Sequence, residues 1–249
     1  MENLTENKKQ LEILIFENFR QCKTDFPSGR IVNSESPDFI LSLNPRNKIG
    51  IELTHLYPVF SAGMTAESGN HSLINQEVVT LAGELFGRKS SYRLLVKVLF
   101  SEKMQIAEEH KVQTAVLLAA LVESEIHFRN RKSFFSVVIS GTRLPKEIER
   151  VLIINHPVLQ HPVWESVIVN GKNEGFAVDI YQTLKRKGDK LYQYRQKRLN
   201  EYWLLITTNT IQGRRKSEIK NLVEQGKFQS EFHFVFLFDL LHQEIHQIV

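Results

Sequence analysis

Two carboxylates stand where carboxylates are costly. Lys48 to Thr54 (KIGIELT) alternates as a strand does, with Ile49, Ile51 and Leu53 on one face and Gly50, Glu52 and Thr54 on the other. Glu52 therefore sits in the middle of an otherwise apolar strand, and a buried carboxylate needs a partner or a metal. Asp38 opens the preceding strand, Asp38 to Leu43 (DFILSL), directly after Pro37. Asn44-Pro45-Arg46-Asn47 between them is a turn sequence, because proline presets φ and asparagine tolerates the left-handed region. A β-hairpin closed there brings Asp38 and Glu52 to one end of the sheet, where two carboxylates repel. A divalent cation removes that repulsion. Hard oxygen donors with open positions suit Mg²⁺ or Mn²⁺, which keep waters and accept phosphate oxygens. The competing reading of Glu52 is a structural salt bridge to Lys97 on the next strand.

A lysine for such a site comes from the helix expected over Val178 to Lys197. Lys187, Lys190 and Tyr194 fall at i, i+3 and i+7 in one stripe, which Thr183 extends by a turn. A lysine reaching the two acids would orient an attacking water and offset charge building on a phosphate; the bland alternative is a solvated basic face. Tyr181, Leu184, Gly188 and Leu191 form the adjoining stripe, expected to pack on the sheet. Gly188 inside a helix costs ~1 kcal/mol relative to alanine, and close backbone approach there is the expected reason.

The elements that must hold these residues alternate. An amphipathic helix over Asn7 to Cys22 is followed by a polar linker, Arg30 to Glu35, and then the hairpin. Tyr57 to Asn70 reads as a loop, Asn75 to Phe86 as a helix, Tyr92 to Phe100 as a third strand, and Lys103 to Phe128 as a long helix with a continuous apolar face from Val112 to Val122. In Ser133 to Glu165 the pairs His156-Pro157 and His161-Pro162 argue against long regular elements; Trp164 to Val169 is a candidate short strand. Tyr202 to Thr207 is a buried strand, Ser217 to Glu224 a helix, and Phe232 to Phe238 the final strand. The expectation is one α/β domain over residues 1–249, a mixed sheet flanked by helices, with a largely helical insertion at about 101–175.

Composition excludes several classes. The 249 residues are 42% hydrophobic and 24% charged, which suits a packed globular chain and not a disordered one. Cys22 is the one cysteine, so no internal disulfide forms and no multi-cysteine zinc site exists; it reads as buried filler, not a nucleophile. MENLTENKKQ lacks the apolar core of a signal peptide, and Ala115 to Val122 is too short to span a bilayer. A cytoplasmic protein with no membrane partner is expected. Glycine-lysine and glycine-arginine pairs at Gly171 and Gly213 make no phosphate loop, and no GxSxG elbow occurs. His127, His156 and His161 lack helical spacing and cysteine neighbours, and His55 reads as a strand-end histidine.

The net charge of +4 is mild, but its distribution is not. Lys185, Arg186, Lys187, Lys190, Arg195, Lys197 and Arg198 face Asp189 alone between positions 180 and 200, and Arg214, Arg215, Lys216 and Lys220 follow. Clustered cations are the footprint of a phosphate-backbone binder.

Ser36-Pro37-Asp38-Phe39, followed by Ile51-Glu52-Leu53-Thr54, resembles the PD-(D/E)XK nuclease superfamily with its restriction-endonuclease-like fold. The Lys187-x-x-Lys190-x-x-x-Tyr194 helix and the Tyr202-Trp203-Leu204-Leu205-Ile206 strand look like the pair that completes the family core. The resemblance covers roughly the first hundred residues and the last seventy. It implies that Asp38 and Glu52 bind Mg²⁺ (or Mn²⁺), that the Leu53 carbonyl is a further ligand, and that an acid on the first helix, Glu12 or Glu17, assists. The motif lysine is replaced by Thr54, so Lys187 or Lys190 must supply the ammonium, with Tyr194 lining the site. The implied activity is hydrolysis of nucleic-acid phosphodiester bonds. The substrate would be nucleic acid, with DNA expected, its backbone held by Arg195, Lys197, Arg198, Arg214 and Arg215. A homodimer is a natural assembly for such nucleases. The alternative, suggested by Thr54, is a catalytically degenerate fold acting as a nucleic-acid-binding or protein-interaction module.

Overall fold

The computed structural model describes residues 2–56, 66–129, 133–167, 175–209, 211 and 214–249. Along the chain run α1 (Glu2–Cys22), β1 (Arg30–Asn33), β2 (Phe39–Asn44), β3 (Asn47–His55), α2 (Ala66–Gly87), β4 (Leu94–Phe100), a 3-10 turn (Glu108–His110) and α3 (Lys111–Arg129). There follow β5 (Phe135–Ser140), β6 (Ile148–Asn155), β7 (Val163–Val167), α4 (Phe176–Arg195), β8 (Glu201–Thr208), α5 (Arg214–Glu224), β9 (Phe234–Asp239) and β10 (Glu244–Gln247). The protein is mixed α/β, with two mixed sheets.

The elements cluster into two compact units, each assembled from two separated stretches: Met1–Asn18 with Phe60–Asn170, and Phe19–Val59 with Gly171–Val249. The first unit holds a four-stranded sheet in the order β5-β6-β4-β7. One face carries Leu94, Val96, Val98 and Phe100 of β4, which join Val78, Val79, Ala82 and Phe86 of α2 and Ala115, Leu118 and Val122 of α3 in one buried cluster. This corrects the largely helical insertion: the described residues of 101–175 contribute three strands and one α-helix. The prolines bound strands instead of excluding them, since Pro157 lies just past β6 and Pro162 just before β7. The helix expected from Lys103 starts only at Lys111, and Val112, Val116 and Leu117 on its presumed apolar face are exposed.

The second unit holds a six-stranded sheet, β1-β2-β3-β8-β9-β10. β2 and β3 form the expected antiparallel hairpin, and Asn44 Oδ1 accepts the N–H groups of Arg46 and Asn47 to close its turn. β3, β8 and β9 are parallel. α4 and α5 cover one face, where Ile180, Leu184, Leu191 and Tyr194 pack with Leu204, Ile206, Val235 and Leu237. On β9, Phe236 and Phe238 meet Phe19 with ring centroids 5.6 and 5.7 Å apart. Two strands were not expected: Arg30 to Glu35 is not a linker throughout, because β1 pairs with β2, and β10 follows the presumed last strand. The loop expected over Tyr57 to Asn70 lies outside the described residues as far as position 65, and α2 takes over from Ala66.

Gly188 is also corrected. Nothing lies within 4 Å of a Cβ built there, so no close approach requires glycine. Gly188→Ala is expected to raise stability by up to ~1 kcal/mol through helix propensity, read as a higher urea midpoint at unchanged m-value. Gly50 is the crowded glycine: its Cβ would fall 2.7 Å from both Leu199 Cδ1 and Pro37 Cγ. The small residue on the Glu52 face is thus what lets Pro37 close over β3.

Candidate active site

The hairpin register decides where the acids meet. Phe39 pairs with Ile51 and Ile40 with Gly50, so one further step sets Asp38 opposite Glu52, with both side chains on one face of the sheet. In the parallel neighbour Gly50, Glu52 and Thr54 sit beside Tyr202, Leu204 and Ile206, three residues of the face that α4 covers. The strand alternation read from KIGIELT therefore aims Glu52 at α4.

From α4, Lys187 reaches it. Lys187 Nζ lies 2.5 Å from Glu52 Oε1, and the two side chains are only 11% and 8% exposed. Burial, then the neighbouring Glu52 and Asp38 charges, push the Tyr194 hydroxyl well above the ordinary tyrosine range, so it stays protonated beside them. Thr183 is buried one turn before Lys187. Lys190 is exposed, which separates the two candidate lysines: Lys187 is the one that meets the acid. Lys97 is not the partner of Glu52. It lies on β4 in the four-stranded sheet and bonds Glu165 at 2.6 Å.

Asp38 is half-buried, and its Oδ2 accepts the Leu53 N–H at 2.7 Å. The reason is local. The Lys48 carbonyl takes the Asn200 N–H ahead of β8, so even-numbered residues of β3 turn their backbone groups to β8 and odd-numbered ones turn theirs to β2. Continued register would oppose Leu53 with Pro37, which has no N–H to give, so the Leu53 carbonyl has no ladder donor there. The Leu53 N–H is taken by the Asp38 carboxylate. Two carboxylates and that carbonyl are donors suited to a hard divalent ion. No group of three or more His, Cys, Asp or Glu side chains suited to a metal occurs among the described residues. Each carboxylate oxygen has two lone pairs, so Glu52 can hold Lys187 and still serve as a ligand.

Thr54 is buried two positions beyond Glu52, and its carbonyl accepts the Thr207 hydroxyl at 3.3 Å. His55 bonds Thr207 Oγ1 at 2.9 Å. On α1, Glu12 pairs with Lys8 at 3.5 Å, while the Glu17 charge acts on His156.

The basic residues are spread along the length of α4, with Lys185, Arg186 and Lys190 exposed between its ends. Arg215 lies over the Phe176 ring, 5.5 Å from its centroid, at the start of α4. Arg195 closes that helix and pairs with Glu231 at 3.3 Å. Nineteen residues at 1.5 Å each put those ends roughly 28 Å apart. Lys197 and Arg198 lie at the Arg195 end. The Arg214 side chain is outside the described residues. Sequence reasoning missed Ser34, which accepts Lys197 Nζ, and Tyr202, whose hydroxyl donates to the Tyr194 carbonyl at 2.9 Å. A lone serine in a polar stretch and a tyrosine in a buried strand carry no signal of such partners.

Cys22 has its thiol pushed up to about 11 by burial. Raised above the ordinary 9.0, the thiol stays protonated at neutral pH. Native protein at pH 8 is expected to react with a thiol reagent ~100-fold more slowly than unfolded chain, because thiolate is the reactive form; equal rates would contradict this.

No protein-family model, curated protein or solved structure matches the chain. Among the described residues no helix is long and apolar enough to cross a membrane.

Proposed function

We propose that the chain is a Mg²⁺-dependent nuclease of the PD-(D/E)XK type, hydrolysing phosphodiester bonds of nucleic acid, with DNA as the first substrate to test. The observation that carries the reading is the meeting of Glu52 with Lys187 at the place where the hairpin register sets Asp38. Asp38, Glu52 and the Leu53 carbonyl would hold the ion, Mg²⁺ or Mn²⁺. When bound, it lowers the pKa of a water and neutralises charge on the scissile phosphate. The chain's own groups do the rest. Lys187, fixed by Glu52, presents N–H donors to the attacking water and to the phosphate oxygen on which charge builds. Tyr194, protonated beside Glu52, would donate to it and hold its rotamer. Water adds to phosphorus and gives up one proton, the bond to the leaving oxygen breaks, and that oxygen takes a proton from solvent, so the two balance. The fold reading, restriction-endonuclease-like, belongs to the same proposal, as does a homodimer that would present two such sites to two strands.

One observation favours a second reading. Glu52 already has both Lys187 and Tyr194 as partners, and Thr54 stands where the family motif has its lysine. A nuclease-like fold that binds nucleic acid or protein without cutting would keep this cluster as a buried ion pair. Incubating the chain with labelled DNA and RNA in Mg²⁺, Mn²⁺ and EDTA separates the two. Cleavage that EDTA abolishes supports the nuclease. Binding with no cleavage in any metal supports the module.

A further inference from the structure

The turn after α4 presents a cation beside Asp38 that the acid–lysine cluster does not use. Lys197 Nζ lies 2.5 Å from Ser34 Oγ. The β1–β2 register, with Asn33 opposite Phe39, continues to set Ser34 opposite Asp38, where the Ser34 N–H donates to the Asp38 backbone carbonyl at 2.8 Å, so the two side chains share a face of the sheet. A hydroxyl does not neutralise an ammonium, and among the described residues no carboxylate lies within ion-pair distance of Lys197.

The backbone that carries Lys197 is held. Arg198 has φ 50°, a left-handed conformation that costs a non-glycine residue ~1 kcal/mol or more. Flanking bonds maintain it. The Arg198 N–H donates to the Arg195 carbonyl at 3.0 Å, the Leu199 N–H to the Tyr202 hydroxyl at 3.2 Å and the Asn200 N–H to the Lys48 carbonyl at 2.9 Å, while Asn200 Oδ1 accepts the Lys48 N–H at 2.8 Å. The ammonium is presented from a fixed turn, so less freedom is lost when it meets a ligand. An ammonium and a hydroxyl side by side offer the donors a phosphate oxygen takes.

We propose that Lys197 and Ser34 form a seat for the phosphate one nucleotide along from the one at Asp38 and Glu52. The ligand is then a chain of phosphodiesters, not an isolated one. This deepens, and for the reacting phosphate rests on, the nuclease reading.

The test is binding of a fluorescein-labelled single-stranded oligonucleotide, followed by anisotropy across a salt series, in EDTA and in Ca²⁺. Lys197→Ala is expected to bind about tenfold more weakly at low salt. Its log K against log salt should flatten by ~0.7, the value of one phosphate contact on a single strand. Lys197→Arg should keep the wild-type slope. Ser34→Ala should weaken binding at an unchanged slope, since no charge is lost. Lys89→Ala, just past α2 and 68% exposed, should change neither. A wild-type slope in Lys197→Ala overturns the seat, as does an equal loss in Lys89→Ala, which would mean diffuse charge. Slope loss without any Mg²⁺-dependent cleavage keeps the seat and removes the enzyme; cleavage with an unchanged slope does the reverse. A wild-type chain that binds in neither buffer overturns the seat.

Discussion

Asp38→Asn is expected to lower Mg²⁺-dependent phosphodiester hydrolysis by ~10³-fold or more while the chain stays folded. The variant suits the question because asparagine keeps an oxygen for the Leu53 N–H, the 2.7 Å bond that ties the start of β2 to β3. What it removes is charge. A thousandfold loss corresponds to ~4 kcal/mol of transition-state stabilisation, within what a positioned divalent ion supplies. Single-turnover cleavage of labelled strands, with urea unfolding run in parallel, reads both quantities. Undiminished cleavage in a folded Asp38→Asn chain would remove this mechanism.

Lys187→Met is expected to destabilise the second unit by ~3–5 kcal/mol, the usual cost of stripping one partner from a buried ion pair. Glu52, with its side chain 8% exposed, would keep the Tyr194 hydroxyl but lose the opposite charge. The double variant Glu52→Gln, Lys187→Met should recover most of the loss, because an amide accepts from Tyr194 and the methionine fills the lysine stem's volume. The cycle across both sites then gives the coupling directly. A loss below ~1 kcal/mol, the range of exposed pairs, would contradict the burial on which the site is built. The same argument makes Glu52→Gln a poor probe of catalysis. It leaves the Lys187 ammonium buried beside an amide, so lost activity and lost fold would arrive together.

The acid pair was legible only in part. The turn tetrapeptide brings Asp38 and Glu52 to one end of the hairpin, but Asn44 opposite Asn47 would by itself set Asp38 against Leu53; the register shift between Ser42 and Asn44 sets it opposite Glu52, and no residue pattern announces that shift. The lysine was legible only to within a helical stripe. Lys187 and Lys190 lie three positions apart on α4, and which one reaches the sheet depends on how the helix is rotated. That rotation is decided by Ile180, Leu184, Leu191 and Tyr194 packing in the core, a tertiary fact.

Sheet membership was not legible. β4 reads as a buried strand, but nothing in YRLLVKVLF says that it pairs with β6 and β7 in place of the hairpin. Of the missed strands, β5 and β6 lie in the stretch read as irregular, while β1 and β10 are the edges of the six-stranded sheet. Neither contains a fully buried residue, so neither carries the hydrophobic alternation that marks a strand. Edge strands are commonly short and polar. The spread of the basic cluster was not legible either: Arg195 and Arg215 stand close in composition, yet about a helix length separates them.

Calorimetric titration of the chain with Mn²⁺, with and without a bound oligonucleotide, tests the central claim most directly. The account predicts saturable binding that Asp38→Asn removes, because the ion is held by the carboxylate charge that the substitution deletes. No Mn²⁺ binding in either condition, or binding undiminished in Asp38→Asn, would contradict it and leave Glu52 and Lys187 as a structural ion pair.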